Sequence, residues 1–485
     1  LNDRSAIFHP LTLVRAAGII DGVSLLVLLC IAMPLKYWAG MPLAVTIVGT
    51  AHGGIFIVYL LAVVYAQVRL QWHVKWTLLS VLAGFVPAAN FILERYFRKH
   101  SDRFPIRPIP KIWLVYAIVL FTFIDLFTQL PVMSTYAGSL GASAAVAGFV
   151  VGMYSLSNTF GNVFSGMMTD KYGAYPILSS GLLLSSASLL LYSAVDNVTG
   201  LVLLRFLHGF CSGLIVPAAF AYLANQTRSE KQGSRSAITG SFVGIAAIVG
   251  PAYSGIMASR TSVPFVFATV AVLGLALFAA TLRYLKTHLD RTARDKRGRG
   301  KLRLNKGTVQ AYAGAFFLMF SQGALAYLLP LHVERLGYSS RLSGTLMSMF
   351  GIVAVALFVL PTNRWFDKVP PLATLATGLG LMGVSQILIG HNSGMYALYA
   401  VLAMYGVGFA LLFPSMNTLL IRSTASDHRG QAYGYFYALF SLGVVAGSSG
   451  IGLLPVSLER QFWATGLVLL ACVLGLSLSA VRFRR

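Results

Sequence analysis

Two ionisable side chains, Asp125 and Arg205, stand inside long apolar stretches of this chain. An arginine placed in hydrocarbon costs about 2.5–3.5 kcal/mol on insertion scales, so Arg205 is expected to face a cavity or a partner. Asp125 is the obvious partner, because it is the only acid in its own stretch. Burial raises a carboxylate's proton affinity and a neighbouring cation lowers it, so such a pair could load and release a proton within the working pH range. The competing reading is a buried ion pair that merely fixes helix packing. His208, one turn beyond Arg205, reads as a packing residue outside the proton path. A second polar pair, Asp21 and His52, falls at mid-membrane depth on adjacent stretches; packing is its first reading and ion sensing or proton relay its second.

The elements that must position these groups are helices in a bilayer. The chain is 57% apolar and 11% charged, with a mean hydropathy of +0.74, which no soluble domain could keep wet. Apolar stretches of roughly 20 residues, the length that crosses a hydrocarbon core, recur throughout. Three precede residue 97, near 11–33, 41–68 and 76–94. Twelve more begin near Trp113, Ser143, Ala174, Gly200, Arg235, Pro264, Thr308, Gly344, Leu372, Met395, Gln431 and Phe462. No cleavable signal peptide is expected, since Pro34-Leu35-Lys36-Tyr37 follows the first run instead of a small-residue cleavage site.

The later stretches repeat. A shift of about 197 residues puts Gly406 on Gly209, Pro414 on Pro217, Gly430 on Gly233, Gly447 on Gly250 and Asp367-Lys368 on Asp170-Lys171. A duplicated membrane unit is how many secondary transporters are built, with the substrate site where the halves meet. The same shift gives Arg205 the counterpart Leu402, and Asp125 the counterpart Ser321 or Gln322. The charged pair therefore exists in one half only, unlike the structural residues.

The net charge of +23 is a matter of topology. If the twelve-helix part begins in the cytoplasm, its outer loops hold only Arg260, Arg335, Arg341 and Arg460, and its other Lys and Arg, the membrane-embedded Arg205 apart, fall inside. That asymmetry fixes the orientation and leaves no call for a nucleic-acid partner. The Pro-containing basic segment up to Lys111 reads as a stiff cytoplasmic linker, and Arg283 to Lys306 as a central loop lying on anionic headgroups. In the first hundred residues the rule is strained, because three spans ending in the cytoplasm would put Arg69 and Lys75 outside; one span is then tilted, short or re-entrant. The three cysteines, Cys30, Cys211 and Cys472, are far apart in apolar runs and have no metal-ligand spacing.

The run Gly166-Met167-Met168-Thr169-Asp170-Lys171-Tyr172-Gly173 resembles the loop between helices two and three of the major facilitator superfamily. The resemblance implies that Gly166, Asp170, Lys171 and Gly173 belong to a cytoplasmic gate, with Asp367 and Lys368 as the second-half copy. Arg205 followed by Gly209 and Gly213 is similar to that superfamily's buried-arginine signature on helix four. Gly250-Pro251-Ala252-Tyr253-Ser254-Gly255, with Gly240 and Gly244 upstream, resembles the signature of its proton-coupled exporters, though Ser254 and Ala246 stand where glycine is usual. Ala17-Gly18-Ile19-Ile20-Asp21-Gly22, Ile31 to Tyr37 and Ala51-His52-Gly53 resemble a small bacterial family of three-helix membrane proteins of unknown function.

The expectation is an all-α membrane protein: a 12-helix, two-fold pseudo-symmetric (6+6) transporter preceded by a three-helix transmembrane module. Its parts are the module at 1–96, the linker at 97–111, halves at 112–285 and 308–485, and the central loop at 286–307. The function expected is proton-coupled export of small lipophilic or amphipathic molecules from the bacterial cytoplasmic membrane, with protons, cargo and anionic lipid as partners and no cofactor or metal. Tyr154, Asn158, Asn162, Gln322, Tyr327 and Asn417 are the candidate cargo contacts, each with interhelical hydrogen bonding as the competing reading. A lipid or glycolipid flippase on the same fold is the alternative. An embedded enzyme is remote, since the chain lacks His-Glu-x-x-His and Gly-x-Ser-x-Gly.

Overall fold

The computed structural model describes residues 9–107, 111–226, 232–258, 260–285, 302, 304–338, 340–359 and 365–481; most of the expected central loop therefore lies outside the described residues. No strand occurs among them. The chain divides into two compact units, Leu1–Trp113 and Leu114–Arg485.

In the first unit, α1 (Pro10–Tyr37, with a π-helical turn at Leu28–Ala32) and α2 (Pro42–Leu70) are long and apolar enough to cross a bilayer. Each starts with proline in its first turn, where the missing amide hydrogen costs nothing. The third apolar stretch is not one span. It forms α3 (Val74–Ala83) and α4 (Ala89–Lys99), broken by a turn in which Ala88 takes a left-handed conformation at φ 66°. Trp76 near the start of α3 stacks on Tyr96 near the end of α4, with ring centroids 4.8 Å apart, so the two helices run antiparallel as a hairpin. At its tip, Gly84 packs against Phe56 and Tyr59, halfway along α2. Ten residues of α-helix rise about 15 Å, half of a hydrocarbon core, which matches that depth. The turn satisfies its own amides: Gly84 N donates to Val81 O, Phe85 N to Leu82 O and Ala89 N to Val86 O.

The hairpin removes the topological strain. It turns back on itself, so Arg69 and Lys75 lie at the same end of the unit as Arg95, Arg98, Lys99, Arg103 and Arg107. Two contacts join these ends: Arg107 N donates to Arg69 O at 2.7 Å, and Arg15 pairs with Glu94 at 2.8 Å. Lys36 stands at the opposite end, so the cations gather at one end of the unit, the asymmetry that the positive-inside rule asks for. In a chain cleared of its native cysteines, an impermeant thiol reagent applied to intact cells should label Trp38→Cys and not Ser101→Cys. Labelling of both would restore a third full span.

Among the described residues, twelve long helices follow: α5 (Ile112–Gln129), α6 (Ala144–Tyr172), α7 (Ala174–Leu191), α8 (Val198–Asn225), α9 (Gln232–Ala258), α10 (Val263–Tyr284), α11 (Lys306–Arg335), α12 (Ser340–Val359), α13 (Pro371–His391), α14 (Met395–Ser423), α15 (Arg429–Val445) and α16 (Leu458–Val481). Side-chain caps start several of them: Ser143 on α6, Asn197 on α8, Ser262 on α10 and Asn305 on α11. The duplication is visible in the packing. A Cβ on Gly209 would strike the Tyr154 backbone, and one on Gly406 would strike Phe350, so α6·α8 and α12·α14 cross at corresponding positions. Glycine is needed at both crossings because the backbones touch. α6 and α15 contain Asn158, Asn162, Ser441 and several glycines, and they pack on each other across the two halves.

Candidate functional site

α5 and α8 bring the two ionisable groups to the same place, but not into an ion pair. Asp125 and Arg205 are both buried, at 1% and 3% exposure. Gln129, one turn beyond Asp125 on α5, stands between them: its Nε2 donates to Asp125 Oδ1 at 2.8 Å, and its Oε1 accepts from Arg205 Nη1. Arg205 also donates to the carbonyls of Val150 (3.1 Å) and Val151 (3.2 Å), and its guanidinium lies over the Tyr154 ring, 4.7 Å from the centroid. The expected direct pair is thus corrected to a bridged one. A buried cation stays soluble in apolar surroundings when its fork is filled with acceptors, and three oxygens fill it here.

The direct partner of Asp125 is His208, which sequence reasoning left out of the proton path. His208 Nε2 lies 3.2 Å from Asp125 Oδ2, and Ser212 Oγ lies 3.5 Å from the same oxygen. Tyr192 OH meets His208 Nδ1 at 3.2 Å, and Tyr154 OH donates to Ser212 Oγ at 2.9 Å. Spacing held the signal: Arg205, His208 and Ser212 follow each other at three and four residues, one face of α8, as Asp125 and Gln129 share a face of α5. With Asp125 ionised and His208 neutral, the cluster carries no net charge. One added proton, on Oδ2 or on the imidazole, makes it +1 without any group having to leave.

The second half carries a neutral copy. Ser321 Oγ and Tyr405 OH, the counterparts of Asp125 and His208, are hydrogen-bonded at 3.0 Å; Gln386 Nε2 donates to Ser321 Oγ, and Tyr405 OH reaches Gln322 Oε1 at 3.2 Å. The duplicated position has kept a contact and lost the ionisable groups. Tyr405→Phe should therefore destabilise the fold by about 1 kcal/mol, the net worth of a buried hydrogen bond, and leave the pH dependence of transport unchanged. A shifted pH profile would mean that this copy takes part in coupling.

The gate residues meet across the halves. Asp170 Oδ1 accepts from Gly430 N at 2.6 Å and Oδ2 from Gln431 N at 2.8 Å, so it caps α15 of the other half. In the pseudo-symmetric position, Asp367 Oδ1 accepts from Ser234 N at 3.0 Å on α9. Carboxylates are favoured at helix N-termini, where amides and the helix dipole point outward. Arg429 adds a contact that the sequence did not suggest: Nη1 donates to Ala224 O and Asn225 Oδ1 at the end of α8. Gly166 lets α6 close on Gly430 and Gly434, and Gly173, at φ 90°, ends α6 in a conformation that L side chains rarely adopt. Lys171 and Lys368 are exposed. These contacts hold the two halves together at one end of the helices.

On α9, Gly250 packs against Phe127 and Thr128 of α5, and Gly244 against Val355 of α12, while Gly255 meets open space. Pro251 sits inside the helix. Of the candidate cargo contacts, Tyr154 belongs instead to the charged cluster, at 3% exposure. Asn158 joins three elements: it donates to Gly209 O (3.1 Å) and accepts from Asn162 (2.8 Å) and from Ser441 of the other half (3.3 Å). Asn162 and Asn417 are buried, each with an unpartnered Oδ1. Tyr327 is 38% exposed, with its ring against Gly452. The structure thus does not gather the six into one site.

In the first unit, Asp21 lies 3.8 Å from His52 Nδ1 and accepts from Asn90 Nδ2 at 2.9 Å.

Comparison with known proteins agrees with this division. The profile named Major Facilitator Superfamily matches residues 115–360 and 311–485, and a domain of unknown function (DUF3817) matches 11–99. The uncharacterized membrane protein YdzA of Bacillus subtilis is 54% identical over 92 residues, 19% of this chain and 96% of that protein. The multi-drug resistance efflux pump PmrA of Streptococcus pneumoniae is 26% identical over 366 residues, 71% of this chain and 90% of that one. Among solved structures, the human organic anion transporter MFSD10 superposes with a TM-score of 0.65 at 16% identity, over 75% of this chain and 98% of its own.

Proposed function

Since the chain belongs to the Major Facilitator Superfamily, and is thus a multi-pass membrane transporter, we propose that its second unit is a proton-coupled exporter of small lipophilic or amphipathic molecules. The observation that carries this reading is the contact of Asp125 Oδ2 with His208 Nε2 at 3.2 Å, bridged through Gln129 to Arg205. In this reading the protein, closed at its cytoplasmic end, takes a proton from outside onto the Asp125–His208 pair. Arg205 keeps the loaded cluster positive, which makes the proton easy to give up again. Opening inward releases it, and cargo binds the neutral carrier for the return. Alternating access follows from rocking of the halves about their interface, with the capped ends of α9 and α15 separating.

Relatives named as multi-drug efflux pumps, and the glycine and proline positions of α9, support export of lipophilic cargo. The test is uptake of fluorescent lipophilic dyes into inside-acid proteoliposomes, with the gradient intact and after an ionophore collapses it. Uptake that requires the gradient supports the reading. Dye uptake indifferent to the gradient overturns proton coupling, and labelled-lipid translocation in its place overturns the cargo class in favour of a flippase.

A further inference from the structure

The first unit buries a carboxylate for which the carrier has no use. Asp21 of α1 is fully buried. Its Oδ2 accepts from Asn90 Nδ2 of α4, beside the hairpin turn, while its Oδ1 has no hydrogen-bond partner, and neither has Asn90 Oδ1. His52 of α2 brings its Nδ1 to 3.8 Å from that free oxygen. Ser24 sets the ring. Its hydroxyl lies 2.8 Å from Asp21 O and 2.8 Å from His52 Nδ1, which holds the imidazole beside the carboxylate.

Among the described residues, no other charged group pairs with Asp21. Arg15 on α1 is held by Glu94 of α4 at 2.8 and 3.2 Å, and Arg98 lies 3.9 Å from the same Glu94. Tyr59 of α2 spends its hydroxyl on Ser80 O of α3. A lone carboxylate anion at this depth is too costly to persist, and His52 is the group placed to supply the missing charge.

We propose that Asp21, His52 and Asn90 form a proton-binding site in the N-terminal unit, holding one proton between the carboxylate and the imidazole. The filled site is a carboxylate with an imidazolium, or a carboxylic acid with an imidazole; only an N–H or O–H bond is made or broken. Asn90 supplies a donor to the anionic form, which ties the proton to the seating of the re-entrant hairpin. An alkali cation fits less well, because the space beside Asp21 is taken by rings: a Cβ on Gly18 would lie 3.2 Å from the Tyr59 ring and one on Gly22 3.2 Å from the Phe91 ring.

The test uses the full chain in lipid nanodiscs with isotope-labelled histidine, His52 being assigned by the signal lost in His52→Gln. Asp21→Asn removes the anion and should lower the His52 titration midpoint by about one to three pH units, the effect of an opposite charge at this range. Asn90→Ala removes the donor that favours the anion, moves the shared proton toward the carboxylate and should lower the midpoint by less, and it keeps the proposal testable if Asp21→Asn fails to fold. Lowered midpoints in both variants support the site. Equal midpoints in native protein and variants overturn it, as does a native midpoint that moves when sodium is replaced by a bulky organic cation.

Discussion

Asp125→Asn should leave the protein folded and abolish pH-driven transport. The asparagine carbonyl can still accept from Gln129, and its amide can face His208, so the packing at 1% exposure survives. What it cannot do is take up a proton. Arg205 then stands beside a permanently neutral group, and the cluster is locked at the charge of its loaded state. Coupling free energies between two ligands on one protein run to about 1–3 kcal/mol, or about 5–150-fold in affinity, and the variant should lose that whole factor. Cargo should equilibrate downhill in it but never accumulate against a gradient, and cargo affinity should no longer vary with pH. Arg205→Ala should lose coupling too, with a fall in stability of up to about 3–5 kcal/mol, because the guanidinium also holds the carbonyls of Val150 and Val151. Gradient-driven accumulation by Asp125→Asn, measured with the same dyes, would place the proton elsewhere.

Asp170→Ala should release the cytoplasmic gate. It removes both acceptors from the first amides of α15, at 2.6 and 2.8 Å, and leaves those amides uncapped only while the gate is closed. Hydrogen bonds to a charged group are worth about 1.5–3 kcal/mol, so losing this cap should shift the balance of closed and open cytoplasmic ends by about 10–100-fold. The readout is the distance between spin labels at the exposed positions 171 and 368, one in each half. The variant should show a longer distance at the cytoplasmic end and slower turnover. Asp367→Ala should act in the same direction, because Asp367 caps α9 through its bond to Ser234 N. An unchanged distance distribution in Asp170→Ala would mean that the glycine contacts of α6 with α15 hold the gate by themselves.

Much of this was open to reading because it rests on period and cost. The shift of about 197 residues between Gly209 and Gly406 became two equivalent helix crossings, since only glycine allows such backbone contact. Asp170 and Asp367 became equivalent caps. Asp125 and Arg205 declared themselves by the expense of burying charge. Harder to see was who touches whom: a glutamine is cheap in any helix, and Gln129 acquires meaning only when α5 and α8 pack. His208 carried no cost signal, because a neutral imidazole is tolerated in a core. Arg429 begins a helix at the cytoplasmic side, where arginines are common. The hairpin lies in an apolar stretch long enough to span, and it was Arg69 and Lys75, misplaced by three full spans, that marked one of them as tilted, short or re-entrant.

Proton movement itself tests the central claim most directly. Proteoliposomes holding a pH-sensitive dye and an inside-acid gradient are exposed to lipophilic cations, with native protein or Asp125→Asn in the membrane. The account predicts that cargo dissipates the gradient through the native protein and leaves it standing in the variant. Equal dissipation through both, or cargo transport by the native protein with no proton movement, would contradict it.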